Sequence, residues 1–68
     1  MRRSSVDPVV TETALVTLRE HNGAAATYAS VRAKEMLEAG ELFLELFWRA
    51  VEREIDRIQS SKPAVRLQ

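Results

Sequence analysis

The side chains able to carry chemistry in this sequence are few: a single histidine, His21, and a set of carboxylates in the second half, Glu38, Glu41, Glu45, Glu52 and Asp56. A histidine acting as general base needs a nucleophile or a second acid within reach, and the Ser, Thr and Glu residues of this chain form no recognised arrangement around His21. An imidazole in the last turn of a helix has a simpler use. It satisfies free carbonyls and complements the negative end of the helix dipole, and that is the role expected of His21. The carboxylates invite a reading as a metal cluster. Dinuclear helical bundles, however, point Glu-x-x-His pairs inward, and no such pair exists here. Without cysteine there is no thiolate site either. The five carboxylates are therefore expected on a solvated strip. The chain is read as a non-enzyme with no cofactor, no metal and no evident small-molecule substrate.

At 68 residues the chain makes at most one domain. That is below the size at which a lone hydrophobic core gives comfortable stability. No disulfide can staple it, so self-association is the remaining remedy. Ten basic residues balance ten acidic ones, which removes the general attraction to nucleic acid or anionic membrane that a basic domain has. Arg2 and Arg3 are followed by no apolar segment of the signal-peptide kind, and no run approaches the ~20 apolar residues of a membrane span. The expected location is the cytoplasm.

The elements are marked by their punctuation. Residues 1–6 are expected as a tail and residues 7–61 as one helical domain, with helices at about 8–21, 24–39 and 41–60; residues 62–68, containing Pro63, form a second tail. Asp7 followed by Pro8 is a helix start, a carboxylate cap before a ring that needs no donor, with Val6 as a staple. The first helix places Val10, Ala14, Leu15 and Leu18 inward and is weak by intrinsic propensity because of its threonines and valines. Asn22-Gly23 is a natural left-handed stop. The second helix offers an inner stripe of small residues, Ala25, Ala29, Ala33 and Met36, flanked by Ala26 and Leu37. Gly40 then turns the chain back into an αα-hairpin. The third helix carries most of the large apolar side chains. Leu44, Phe47, Trp48, Val51, Ile55 and Ile58 lie on one stripe at 100° per residue, expected to be the core, with Trp48 buried against the alanines. The fold class is thus all-α, a small three-helix protein built on an αα-hairpin and completed by homo-oligomerisation.

Several of these features, His21-Asn22-Gly23, Tyr28-Ala29, Arg32-Ala33, Leu37, Gly40-Glu41, then Trp48, Val51, Ile55 and Ile58, resemble a group of short, uncharacterised bacterial helical proteins. That group has a His-Gly stop, an Ala-Arg-Ala helix, a Gly-Asp hinge and a Trp leading the last helix. The likeness covers roughly residues 14–58. It departs at Asn22, inserted in the His-Gly step, and at Glu41, where Asp would cap better. The resemblance implies a helical fold and no activity.

Three binding classes compete for the apolar surplus of the third helix. As a DNA-recognition helix it would need basic and polar side chains at its start, and Glu41, Leu42, Phe43 and Glu45 stand there instead. As a membrane-surface helix it would need a basic polar face, and Glu41, Glu45, Glu52, Glu54 and Asp56 repel anionic lipid. Protein binding remains. Leu42, Phe43, Leu46 and Ala50 project beyond the core stripe, and the expected pairing is a two-fold one of this helix with itself. Leu46 then lies near the axis, with Arg49 and Arg53 reaching Glu45 or Glu52 of the other chain. The expected function is that of a small regulator or adaptor acting as a homodimer, with a larger protein as a further partner. The alternative is an accessory subunit whose same face docks on a larger, unrelated protein or, ranked below that, a weak nucleic-acid-binding regulator with Arg2 and Arg3 as a phosphate-touching arm.

Overall fold

The computed structural model describes residues 8–60, which fold into three α-helices joined by short turns. Helix α1 spans Pro8–His21, a short 3-10 turn covers Asn22–Ala24, α2 spans Ala25–Glu38 and α3 spans Leu42–Ser60. All-α architecture on an αα-hairpin is therefore what the chain adopts, and no strand occurs among the described residues. The Asp7 cap, the Val6 staple and the tails at 1–6 and 62–68 lie outside the described residues.

Each break has a local cause. At the first, Asn22 itself takes the left-handed conformation, with φ of 51°, while Gly23 does not. Asparagine tolerates that region better than most residues, and the 3-10 turn then leads directly into α2. At the second, Gly40 has φ of 79°. The Gly40 N–H donates to the Leu37 carbonyl at 3.0 Å and the Glu41 N–H to the Met36 carbonyl at 2.8 Å. This is the paired-bond closure that ends a helix with a left-handed residue just past its last turn. The Glu41 carbonyl accepts from the Glu45 N–H at 2.9 Å, so Glu41 starts α3 from one residue outside it.

The helical hairpin of α2 and α3 forms the larger contact, and α1 lies against both, more on α3 than on α2. Val10, Ala14, Ala25, Ala29, Val51 and Ile55 form the buried cluster, with Leu18, Ala26, Phe47, Trp48, Ala50 and Ile58 half-buried around it. Among the described residues, Val51 and Ile55 are the large side chains with no exposure at all. Alanines on α2 provide a low surface on which α3 lies close, as their size requires.

The structure corrects the expected core at several positions. Leu15 on α1 and Leu37 on α2 are each 47% exposed, and Leu44 on α3 is 40% exposed rather than buried. Thr17 takes an inward place on α1, its hydroxyl satisfied by donation to the Thr13 carbonyl at 2.7 Å. Trp48 is half-buried at the edge of the cluster rather than sunk into it. Glu45, expected on a solvated strip, is buried. At the start of α3 the covered side chain is thus Glu45, paired with Arg49, and not its neighbour Leu44.

Candidate interaction surface

Helix α3 positions every residue expected at an interaction face. At 100° per residue Leu42, Leu46, Arg49 and Arg53 fall within about 60° of one another, and Phe43, Phe47 and Ala50 form a neighbouring stripe about 100° away. Leu42 is 60% exposed, Phe43 81% and Leu46 62%, so three large apolar side chains stand in solvent within two turns. Leu44 and Leu37 are also exposed, Leu44 on the side of α3 away from Leu42 and Leu46. Ala50 is different: it is half-buried and packs against the core cluster, so it borders the surface rather than belonging to it. Arg49 and Arg53 are both exposed and continue the first stripe beyond Leu46.

Two carboxylates on α3 turn inward, and each is held by an arginine of its own helix. Glu45 accepts from Arg49 Nε across one turn. That pair forms within the chain, where the sequence suggested a contact between copies. Glu54 accepts from Arg57 through two bonds, Nε to Oε1 at 3.0 Å and Nη2 to Oε2 at 2.7 Å, and from the Thr11 hydroxyl of α1 at 3.3 Å. The bonds from Arg57, the positive charge of that guanidinium and the Thr11 hydroxyl together hold the Glu54 carboxyl below the usual carboxylate range, against the opposing effect of burial. The same pairing raises Arg57 above its ordinary value. Thr11 and Glu54 thus join α1 to α3 by a polar contact inside an otherwise apolar seam.

A second arrangement escaped the sequence reading altogether. His21 stacks on Tyr28 with ring centroids 4.1 Å apart and planes 16° from parallel. Tyr28 meets Trp48 edge-on at 5.9 Å, Trp48 meets Phe47 edge-on at 5.7 Å, and the Arg32 guanidinium lies over the Trp48 ring at 5.7 Å. Arg32 also pairs with Glu35 at 2.9 Å. His21 is therefore engaged through its ring face, in place of the expected capping of carbonyls. The row ties the end of α1 to α2 and α3, each ring pair contributing about 0.5–1.5 kcal/mol beyond its buried area. The seven-residue spacing of His21 and Tyr28 carries no signal by itself, because a turn of changed pitch separates them.

Two depressions are formed by described residues. One of about 340 Å³ lies between the ends of α1 and α3 and is lined by Leu18, Asn22, Gly23, Ile58 and Gln59. The other, about 160 Å³, is lined by Arg49, Glu52, Arg53 and Asp56 on α3. The first offers amides and apolar groups without a titratable side chain; the second alternates charge. Among the described residues no group of three or more His, Cys, Asp or Glu side chains is placed to hold a metal ion, and no helix is long and apolar enough to cross a membrane.

No family model, curated protein or solved structure matches the chain. The reading of the surface accordingly rests on its own residues. Leu42, Phe43 and Leu46 are brought together as an exposed apolar face, with Arg49 and Arg53 at its far edge. Glu52 lies beside those arginines rather than within the apolar area.

Proposed function

We propose that this chain is a non-catalytic protein-binding module that acts as a homodimer through the first half of α3. The observation that carries the reading is the exposure of Leu42, Phe43 and Leu46 on consecutive turns of one helix. Water-facing apolar area of this kind, concentrated in one place on so small a molecule, is what protein-contact surfaces offer. The size of the core supports the same conclusion. With two large side chains fully buried, a second copy adds apolar burial that the single chain lacks. A regulator or adaptor role, with a larger protein as second partner, is the biological form this takes.

The test is sedimentation of the purified chain across the micromolar range, with melting at each concentration. A homodimer melts at higher temperature as concentration rises, because only the folded state associates. Leu46→Arg places two like charges close together and is expected to give a monomer of lower stability. A native chain that stays a well-folded monomer over that range assigns the same face to a heterologous partner and removes the homodimer.

A further inference from the structure

We infer that two copies pair with their α3 helices antiparallel about a two-fold axis at Leu46, each seating Arg53 at the acidic hairpin corner of its partner. This rests on the reading that the first half of α3 binds a second copy; it adds the direction, the register and the charges that select them.

The corner is defined by what α2 lacks. Its last turn carries no basic residue, yet it contains Glu35 and Glu38 and is followed at once by Glu41. The carbonyl end of a helix already bears partial negative charge, so acidic residues there are placed unfavourably unless something positive faces them. Glu35 is paired with Arg32. Glu38 and Glu41 are exposed, and no ion pair to either is found among the described residues. Next along the chain come Leu42, Phe43 and Leu46, and beyond them Arg49 and Arg53. The surface thus runs from negative to apolar to positive.

Such an order has one matching way to meet its own copy. Parallel pairing sets Arg49 on Arg49 and Arg53 on Arg53, with the acidic corners together, which like charges oppose. Antiparallel pairing centred on Arg49 places two guanidinium groups on the axis. Antiparallel pairing centred on Leu46 instead sets Leu46 on Leu46, Leu42 beside Arg49 along the same edge of the face, and Arg53 against the carbonyl end of α2 with Glu38 and Glu41. Arg49 is prepared for this place. Glu45 holds its guanidinium within its own helix while the side chain stays 53% exposed, so its stem lies along that edge of the face, where it covers the Leu42 side chain of a partner. Glu52 and Asp56, which share the depression with the two arginines, are rotated toward the Glu45 side of α3 and away from Leu46. They equal the two arginines in number, so it is the face on which Arg53 stands, and not a net positive charge, that the pairing uses. The apolar area available is on the order of 400 Å² per protomer, about half of what a stable standard interface contributes per partner. An interface of that size lies at the weak end, and the charges at its two ends matter to it.

The chain has no cysteine, so single-cysteine variants at these exposed positions report proximity directly. Helicity of each is checked by circular dichroism, and native sedimentation is run beside them. Under mild oxidation Leu46→Cys is expected to cross-link to itself rapidly. Leu42→Cys and Arg49→Cys are expected to cross-link when mixed and poorly when alone, and Arg53→Cys not at all with itself. In sedimentation Arg53→Glu is expected to weaken self-association at least tenfold, and mixing it with the Glu38→Arg, Glu41→Arg double variant is expected to restore a dimer through complementary corners. Equal self-cross-linking at positions 42, 46, 49 and 53 overturns the antiparallel register while leaving a dimer in place. A native chain that sediments as a monomer and cross-links nowhere overturns both the register and the homodimer. A native dimer with no cross-link at any of these positions places its interface elsewhere and also overturns the proposal.

Discussion

Ile55 is the side chain on which the fold depends most, and truncating it tests the packing directly. It is fully buried, one of two large residues in that state among those described. Removing its branched end to leave alanine strips about three methylene equivalents from a site floored by alanines that cannot move into the gap, so the cost belongs in the upper part of the usual ~2–5 kcal/mol range. A folded chain of this length has a total stability of only about 3–10 kcal/mol. Ile55→Ala is therefore expected to be largely unfolded at 25 °C or to melt at the edge of that state. Ile55→Val, losing one methylene, should cost about 1 kcal/mol and remain folded. Urea denaturation followed by circular dichroism at one fixed protein concentration reads both. With a slope near 1 kcal/mol per molar urea, as small proteins show, Ile55→Val should lower the midpoint by about 1 M. Fixing the concentration keeps any association from entering the comparison. An Ile55→Ala variant whose midpoint lies within about 0.5 M of the native one would refute the reasoning, because it would mean that α3 does not rest on α2 by this side chain.

Other positions yield outcomes of different kinds. Trp48→Ala should cost about 2 kcal/mol, less than a fully buried tryptophan, since the half-buried ring loses its edge contacts with Tyr28 and Phe47 and the cation over its face; thermal melts of the variant measure it. Glu54 has its folded-state value held below the ordinary 4.5, so the stability it confers is complete above that pH and disappears as pH falls below it through the folded value. The native chain should therefore lose stability more steeply than Glu54→Gln over that acid range, and parallel slopes in acid melts would show that the Arg57 and Thr11 contacts do not form. Gly40→Ala forces a side chain into the left-handed region and should cost about 1–2 kcal/mol. Gly23→Ala meets nothing within 4 Å and has no such φ, so it should be neutral or stabilise by up to about 1 kcal/mol; chemical denaturation separates the two.

Helix limits were legible in the sequence because each is set by a residue of special backbone chemistry. Pro8, Asn22 with Gly23, and Gly40 act locally, and the helices end within a residue or two of where these stand. The alanine stripe of α2 was legible too, since Ala25, Ala29 and Ala33 recur at the helical period and nothing competes for that face. What failed did so for tertiary reasons. A helical wheel treats α3 as a straight rod with one buried side, which places Leu44 in the core and Glu45 in water. In the structure Glu45, paired with Arg49, is the covered one of the two. Burial of Thr17, Glu45 and Glu54 was hidden by residue type, because each polar group is admitted only by a partner, a carbonyl one turn back or an arginine three or four residues on. The candidate surface was read more completely, as Leu42, Phe43 and Leu46 are exposed as expected. Ala50 was not, because a residue so small is indistinguishable by spacing from its larger neighbours until the packing is known.

The alanine floor of α2 has a consequence for how this protein can vary over time. At Ala25, Ala29 and Ala33, with at most 2% exposure, almost every exchange enlarges the side chain and lifts α3 from its seat. Enlargement in a packed site typically costs about 1–3 kcal/mol. Glycine, the one smaller replacement, costs about 1 kcal/mol in helix propensity. No direction of change at these three positions is cheap, whereas the leucines of the outer surface can be exchanged without disturbing the helices beneath them. Descendants of such a chain are thus free to alter what they bind while their plainest residues stay as they are. Kinship among them would show in the spacing of alanines and turns, a pattern faint enough to be lost before the fold is.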